Sequence, residues 1–401
     1  MTKDTHQSHQ QLPLIMIVTG MNVTKYGSLE RFFLRLIDFC YSNYRFVIVY
    51  NDLPEVPEYI NQLKETGCIL EILSSSDNKV IKNIPSFIKL LKKYRPQIVH
   101  FNFSFAALYW APIAKIYKAH TLWTLHSCLC DKNDKQINRM SDFSIKHRIG
   151  SLNGRLYYAM DKICGISKYV VTQFSGVYKF LDKKIEKDPI YFGIDDIPPV
   201  DKEHREKLRK ENGINSDEIV VATTLFAVPM KGADILINAA IYNPIPNIKY
   251  IIIGCNPNVE YTQSLVKLTQ EKGISNQFIW VGITNDVNHW LCMADIYVQP
   301  SRTEALSFAS IEALRFKIPV IGSNIGGLPE LSNTTFEVGD IPQLNKLISE
   351  YAENIKLREN ESKKAYNKYT SLFKGDNSLR RYLKCYDNLL YHSLQPTIDT
   401  F

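Results

Sequence analysis

The stretch from Pro300 to Leu331 (PSRTEALSFASIEALRFKIPVIGSNIGGLPEL) carries two carboxylates, Glu304 and Glu312, eight residues apart. It follows an apolar run ending at Gln299, and Ser301-x-x-Glu304 has a capping-box pattern that predicts a helix running on to about Phe316. On a continuous helix, eight residues rise about 12 Å. Glycosidase carboxyl pairs sit about 5–9.5 Å apart, so these two are badly spaced to flank one scissile bond. They suit the two ends of one extended ligand. The backbone amides from Ala305 through Leu306 and Ser307 to Phe308 would then open the helix, and a helix N-terminus with its partial positive charge is a ready site for a phosphate. His126, Cys128 and Cys130 form a second cluster. No second group completes a zinc-like set of four around it, so no metal is expected.

These residues must be positioned by regular elements. Short apolar runs alternate with amphipathic segments of helical length, the pattern of parallel strands joined by crossover helices, and the class is α/β. Strands are expected at Leu14 to Thr19, Phe46 to Tyr50, Ile69 to Leu73, Ile98 to Phe103, Thr121 to Leu125 and Lys162 to Gly165. Helices are expected at Leu29 to Cys40, Ile60 to Thr66 and Ile84 to Tyr94. The Pro- and Asp-rich stretch Asp188 to Val200, followed by the charged Asp201 to Glu211, reads as a linker. A second series follows: Ile219 to Phe226, Tyr250 to Gly254, Phe278 to Gly282, Ile296 to Gln299 and Val320 to Gly322, with a helical segment at Gly375 to Tyr391. The expected division is a tail at 1–11, a first Rossmann-like domain at 12–190, a second at 191–374, and a terminal helix and tail at 375–401. Sites in such sheets form at the carboxyl ends of strands, and pockets favour domain interfaces, so the cleft between the halves is the expected active site.

A chain of 401 residues with 45% hydrophobic and 22% charged residues has the composition of an ordinary two-domain globular protein and excludes a disordered or collagenous one. The formal charge of +7 is uneven: residues 1–190 carry +10 and residues 191–401 carry −3. The basic first half therefore points to an anionic partner such as a membrane surface or a phosphorylated acceptor. Nucleic acid is not expected, because no recognised binding motif accompanies the charge. No secretory signal or uninterrupted apolar run of 18 residues is visible, and eight scattered cysteines in a chain of this size read as reduced, buried thiols. A cytoplasmic protein is expected. The segment Lys82 to Arg95 (KNIPSFIKLLKKYR) is basic and amphipathic, but it lies where the sheet needs a covering helix, leaving only a cationic outer face for lipid headgroups.

Taken together, the motifs resemble those of the family-4 retaining glycosyltransferases, which have the GT-B fold of two Rossmann-like domains facing across a cleft with a C-terminal helix crossing back to the first domain. Glu304 and Glu312 form the Glu-x7-Glu signature, followed by Pro319-Val320 and the turn Gly326-Gly327-Leu328-Pro329-Glu330. The likeness continues through Gly27-Ser28-Leu29-Glu30, Gln97-Ile98-Val99-His100, Thr124-Leu125-His126, Gly165-Ile166-Ser167, Phe192-Gly193-Ile194-Asp195 and Lys231-Gly232-Ala233-Asp234.

The resemblance implies a role for each residue. Glu312 would bond the nucleotide ribose, Glu304 would hold donor-sugar hydroxyls, and Lys231 would neutralise the diphosphate leaving group. Gly27 and Ser28 would bring backbone close to that diphosphate, and His126 would sit beside the donor sugar. The reaction implied is transfer of a hexose from a nucleotide diphosphate sugar to an acceptor hydroxyl by front-face attack, with no cofactor and no metal. The partners would be that donor and a saccharide or lipid-linked saccharide acceptor, in cell-surface polysaccharide or glycolipid synthesis with peripheral membrane contact. Acceptor loops would lie around Lys25, Asn102 to Tyr109 and Cys128 to Arg148.

Three features depart from the family pattern. Leu225 and Phe226 stand where an arginine phosphate clamp is usual, Arg302 being a candidate substitute. Glu304-Ala305-Leu306-Ser307 replaces Glu-Gly-Phe-Gly, and the paired glycines of the first loop are reduced to Gly27-Ser28. A nucleotide-sugar-binding or scaffold protein of weak or no catalysis, and a sugar-nucleotide epimerase, stay open as alternatives on the same fold.

Overall fold

The computed structural model describes residues 12–75, 79–104, 106–127, 156–197 and 200–391. The chain divides into two compact units, one formed by the described residues of Met1–Gly193 and Asp376–Phe401, the other by those of Ile194–Gly375.

The first unit is built on a parallel sheet of β1 (Leu14–Thr19), β2 (Arg45–Tyr50), β3 (Ile69–Ile72), β4 (Ile98–Asn102), β5 (His120–Leu125) and β6 (Lys162–Gly165), in the order β3-β2-β1-β4-β5-β6. All residues of β1 and β4 are buried, as befits central parallel strands covered on both faces. The helix Ser28–Cys40 buries Phe32, Phe33, Leu36 and Ile37. In the helix Ile84–Tyr94, Phe87 and Leu91 are buried and Phe87 stacks on Trp110 at 4.5 Å, so the apolar face is committed to the core while Lys89, Lys92 and Lys93 stay exposed. The C-terminal helix Asn377–Tyr391 belongs to this unit. It buries Leu379, Tyr382 and Tyr386 and is tied to the helix Ser28–Cys40 by Arg35–Asp376 at 3.0 Å.

The second unit repeats the plan with β7 (Ile219–Thr224), β8 (Ile248–Ile253), β9 (Phe278–Gly282), β10 (Ile296–Gln299), β11 (Val320–Ser323) and β12 (Thr334–Phe336), in the order β12-β11-β10-β7-β8-β9. Read from the other edge this is the same strand order as the first sheet. In each, strand order reverses at one place, β1 beside β4 and β7 beside β10, which is where doubly wound sheets open a crevice at their carboxyl ends.

Two expectations about local structure fail. The charged stretch read as linker is the helix Lys202–Glu211, capped by Asp201, with Leu208 and Arg209 buried and Arg205 and Arg209 both paired to Asp295. Its charge belongs to one solvated face and one part-buried ion cluster. The helix predicted from Ser301 begins instead at Phe308 and ends at Arg315. Ser301 is fully buried and accepts a hydrogen bond from Gln299 Nε2 at 2.9 Å, so it caps nothing, and the N-cap is Ser307. Among the described residues, no helix is long and apolar enough to cross a membrane, and six free cysteines are buried. Cys128 and Cys130 lie outside the described residues.

Candidate donor site

In the second unit, β7 and β10 meet at the strand-order reversal, and the loop after each carries a candidate residue. After β7 the chain turns through Pro229–Lys231 into the helix Ala233–Tyr242, with Gly232 at the junction. After β10 it runs through Glu304 to the helix Phe308–Arg315. The Lys231 ammonium donates to Glu304 Oε2 at 2.7 Å.

The two loops are stitched together. The Arg302 backbone N–H donates to the Met230 carbonyl at 2.8 Å. Gly232, in the left-handed region at φ 74°, lies so close to Pro300 that a Cβ would stand 1.9 Å from the Pro300 carbonyl oxygen. Gly326, at φ 61°, approaches Glu304 in the same way: a Cβ there would stand 1.7 Å from the Glu304 carbonyl oxygen, and that oxygen accepts from the Gly327 N–H at 3.1 Å. The glycines on either side thus fix the backbone that carries the two candidate side chains.

Beneath them runs a buried polar chain. Gln299 Oε1 accepts from Tyr297 Oη at 3.0 Å and from Ser307 Oγ at 3.2 Å, and Ser307 Oγ accepts from the Ser310 N–H at 3.1 Å. Ser307 therefore uses its side chain to cap the helix and offers a ligand its backbone alone. The amides that open the helix belong to Phe308, Ala309 and Ser310, so of the expected Ala305 to Phe308 only Phe308 is among them, and the Ser310 N–H is already taken. Leu306 is buried. Glu312 is half-buried on the helix, and the separation calculated for one continuous helix does not apply, since Glu304 lies in the loop before it. Both carboxylates nonetheless act on one point: burial pushes the Tyr297 phenol up, and the fields of Glu312 and Glu304 add to the rise.

Arg302 does not stand in for the missing phosphate clamp. Its guanidinium forks onto Asp234 at 2.6 and 2.9 Å and reaches the Pro229 carbonyl at 2.6 Å. Phe226, where the resemblance expects arginine, is 60% exposed.

In the first unit, Gly27 caps the helix Ser28–Cys40 with an ordinary φ of −101°, and its N–H donates to Glu30 Oε2 at 2.9 Å. Burial raises the Glu30 carboxyl above its usual range. That carboxylate already lies on the helix start where a diphosphate was expected at Gly27 and Ser28. His126 follows β5; its ring stacks on Phe103 at 3.5 Å and on Phe192 at 5.2 Å, and Nε2 is 2.9 Å from Asn102 Oδ1. Among the described residues Nδ1, which is buried, has no hydrogen-bond partner, and burial, reinforced by His100, holds the ring well below its ordinary titration range. Of the nine candidate residues, Lys231, Glu304, Leu306, Ser307, Phe308 and Glu312 thus fall in one unit, and Gly27, Ser28 and His126 in the other. Residues 128–148, expected to bear on the acceptor, lie outside the described residues.

The sequence pointed to neither Asp234 nor Tyr261. Tyr261 Oη donates to Asp234 Oδ1 at 2.6 Å, and the only cue was the place of Asp234 in the Lys-Gly-Ala-Asp string. A pocket of about 490 Å³ in the second unit, bordered by Arg205, Asp295, Arg315, Pro319 and Arg358, lies at the amino ends of β10 and β11. It is thus at the opposite end of the strands from Lys231 and Glu304.

Residues 204–368 match the family of glycosyl transferases group 1. The O-antigen biosynthesis glycosyltransferase WclY of Escherichia coli is 26% identical over 61% of this chain and 67% of its own. A GDP-mannose-dependent monoacylated α-(1-6)-phosphatidylinositol monomannoside mannosyltransferase of Corynebacterium glutamicum is 26% identical over 49% of this chain and 54% of its own. The chain thus spans about half to two thirds of the length of these relatives. The solved structure of HepE from Anabaena with UDP superposes with a TM-score of 0.75 over 93% of this chain and 99% of its own, at 16% identity. The sheet topology and this likeness give the GT-B fold, and the family match with its relatives supports a group 1 glycosyltransferase.

Proposed function

We propose that the chain is a retaining, metal-independent glycosyltransferase that moves a hexose from a nucleotide diphosphate sugar to an acceptor hydroxyl in the assembly of a cell-surface polysaccharide or glycolipid. The observation that carries this reading is the meeting of Lys231 and Glu304 at 2.7 Å on the loops that follow the adjacent strands β7 and β10, inside the segment that matches the glycosyltransferase family. As the bond from the anomeric carbon to the diphosphate oxygen breaks, negative charge grows on the phosphate. Lys231 and the amides opening the helix Phe308–Arg315 are placed to stabilise it. The acceptor oxygen bonds the anomeric carbon from the same face, its proton passing to the departing phosphate. Glu304 holds sugar hydroxyls and Glu312 the ribose. The basic first half and the exposed lysines of the helix Ile84–Tyr94 fit an acceptor held at an anionic membrane surface on the cytoplasmic side.

The test is a screen of UDP-, GDP-, ADP-, dTDP- and CDP-sugars for thermal stabilisation, followed by transfer assays with the hit and anomeric analysis of the product. An inverted linkage refutes retention, and a free isomerised sugar nucleotide points to the epimerase. The exposed Phe226 favours a second reading, a donor-binding protein without turnover. Tight binding with no hydrolysis or transfer across a broad acceptor panel would establish it.

A further inference from the structure

We propose that Arg302 is a positioning residue for the donor site: with Asp234 and Tyr261 it clamps the turn carrying Lys231 against the loop carrying Glu304, so that the phosphate-binding lysine is set before the donor arrives. This inference rests on the reading of Lys231 and Glu304 as donor ligands.

The clamp brackets Lys231 on both sides. Ahead of it, the Arg302 guanidinium holds the Pro229 carbonyl at 2.6 Å and the Arg302 N–H holds the Met230 carbonyl at 2.8 Å. Behind it, the guanidinium forks onto both oxygens of Asp234, in the first turn of the helix Ala233–Tyr242. Asp234 is held in turn by Tyr261 Oη at 2.6 Å, and its own N–H donates to that hydroxyl at 3.3 Å. Arg302 stands two residues before Glu304, so one side chain fixes the spacing of the two loops at the point where Lys231 meets Glu304. The pairing is bidentate, which sets orientation as well as distance and is a task lysine does not perform. Burial alone would lift the Asp234 carboxyl, but the Arg302 and Tyr261 bonds hold it below its usual range, so the clamp stays charged at neutral pH. With its charge matched by Asp234, Arg302 has become the frame for the phosphate cation rather than a second such cation. Positioning of this kind raises affinity by removing the need to order a flexible lysine on binding.

The experiment measures the Kd of UDP, GDP, ADP, dTDP and CDP by titration calorimetry, well below the melting temperature, for wild type, Arg302→Gln, Arg302→Lys, Asp234→Asn, Tyr261→Phe, Lys231→Ala and the double variant Arg302→Gln/Lys231→Ala. For the nucleotide that wild type binds best, Arg302→Gln and Asp234→Asn are expected to raise Kd about tenfold, with Arg302→Lys intermediate. The double variant should bind no worse than Lys231→Ala, because the clamp acts through that lysine. A residue that only supports folding would lower the melting temperature without this non-additivity. Should Arg302→Gln fail to fold, Arg302→Lys and Tyr261→Phe, expected to weaken binding a few-fold, carry the same comparison against the Lys231→Ala background. Unchanged Kd in the clamp variants, additive losses, or tighter binding by Asp234→Asn, which would reveal Arg302 as a direct phosphate ligand, each overturn the clamp while leaving the donor site standing. Wild type that binds none of the five nucleotides overturns the donor site and the clamp together.

Discussion

Lys231 and Glu304, 73 residues apart in sequence, form an ion pair of 2.7 Å whose side chains keep 26% and 12% of their surface exposed. Such a partly solvated pair contributes about 1 kcal/mol or less to stability. In the proposed reaction its value lies in where it sits: the lysine is already oriented and balanced by a carboxylate that would turn to sugar hydroxyls when a diphosphate takes the ammonium. Lys231→Ala should therefore move the urea midpoint only slightly while raising the Kd of the bound nucleoside diphosphate more than tenfold. A large midpoint shift with unchanged nucleotide affinity would make the pair structural.

Glu312 calls for the opposite comparison, between binding and turnover. It is half-buried on the helix Phe308–Arg315, and its charge, like that of Glu304, is felt at Tyr297. Glu312→Ala should leave the circular dichroism spectrum intact and lower kcat/KM for transfer by about 100-fold or more, in keeping with loss of a charged hydrogen bond that orients the donor. Near-wild-type transfer by the folded variant would remove Glu312 from the site.

The backbone beneath these side chains gives a steric prediction. Gly326→Ala would drive a Cβ to 1.7 Å from the Glu304 carbonyl oxygen at a φ of 61°, whereas Gly213→Ala, at φ 68°, meets nothing within 4 Å. The second variant should lose only the left-handed backbone penalty, about 1 kcal/mol. The first must also displace the loop, and a loss of about 2–4 kcal/mol is expected, with weakened nucleotide binding. Urea midpoints of the two variants, read beside nucleotide titrations, check the difference. Equal losses would mean that the turn relaxes at no cost to the loop.

Most of the framework was legible because buried parallel strands are written as short apolar runs. Leu14–Thr19, Phe278–Gly282 and Ile296–Gln299 stand where those runs stand. The strand Thr334–Phe336 was missed, since three residues make no readable run. At the site, residue types were visible but their partners were not. Ser301 and Ser307 are equally good caps on paper; the choice fell to Ser307 because Gln299 draws the Ser301 hydroxyl inward and the Gly326–Gly327 turn holds the Glu304 backbone out of a helix. Arg302 looked available for a phosphate because the carboxylate that claims it lies 68 residues away. Contacts of this range are set by strand order, which brings the ends of β7 and β10 together, and local spacing carries no record of them.

A last prediction concerns pH and the first unit. His100 on β4 is 1% exposed, with Nδ1 2.8 Å from Tyr386 Oη on the C-terminal helix and Nε2 2.8 Å from Thr124 Oγ1 on β5. Burial pushes its pKa down to about 3 from an ordinary 6.5. Below 6.5 the unfolded chain takes up a proton that the folded chain refuses, so stability present above 6.5 is lost as pH falls toward 3. The slope approaches about 1.4 kcal/mol per pH unit for each such ring. His126, held low by burial and by His100, adds to the loss in the same direction. His100→Gln keeps a side chain able to hydrogen-bond but removes the titration. Its stability at neutral pH should be lower, because the amide does not reproduce both 2.8 Å bonds, yet the fall between pH 6 and pH 4.5 should be shallower than in wild type by about one proton's worth. Urea denaturation across that range measures both quantities. Parallel curves would mean that His100 takes its proton in the folded state, and the sealed contact between the C-terminal helix and the sheet would have to open in acid.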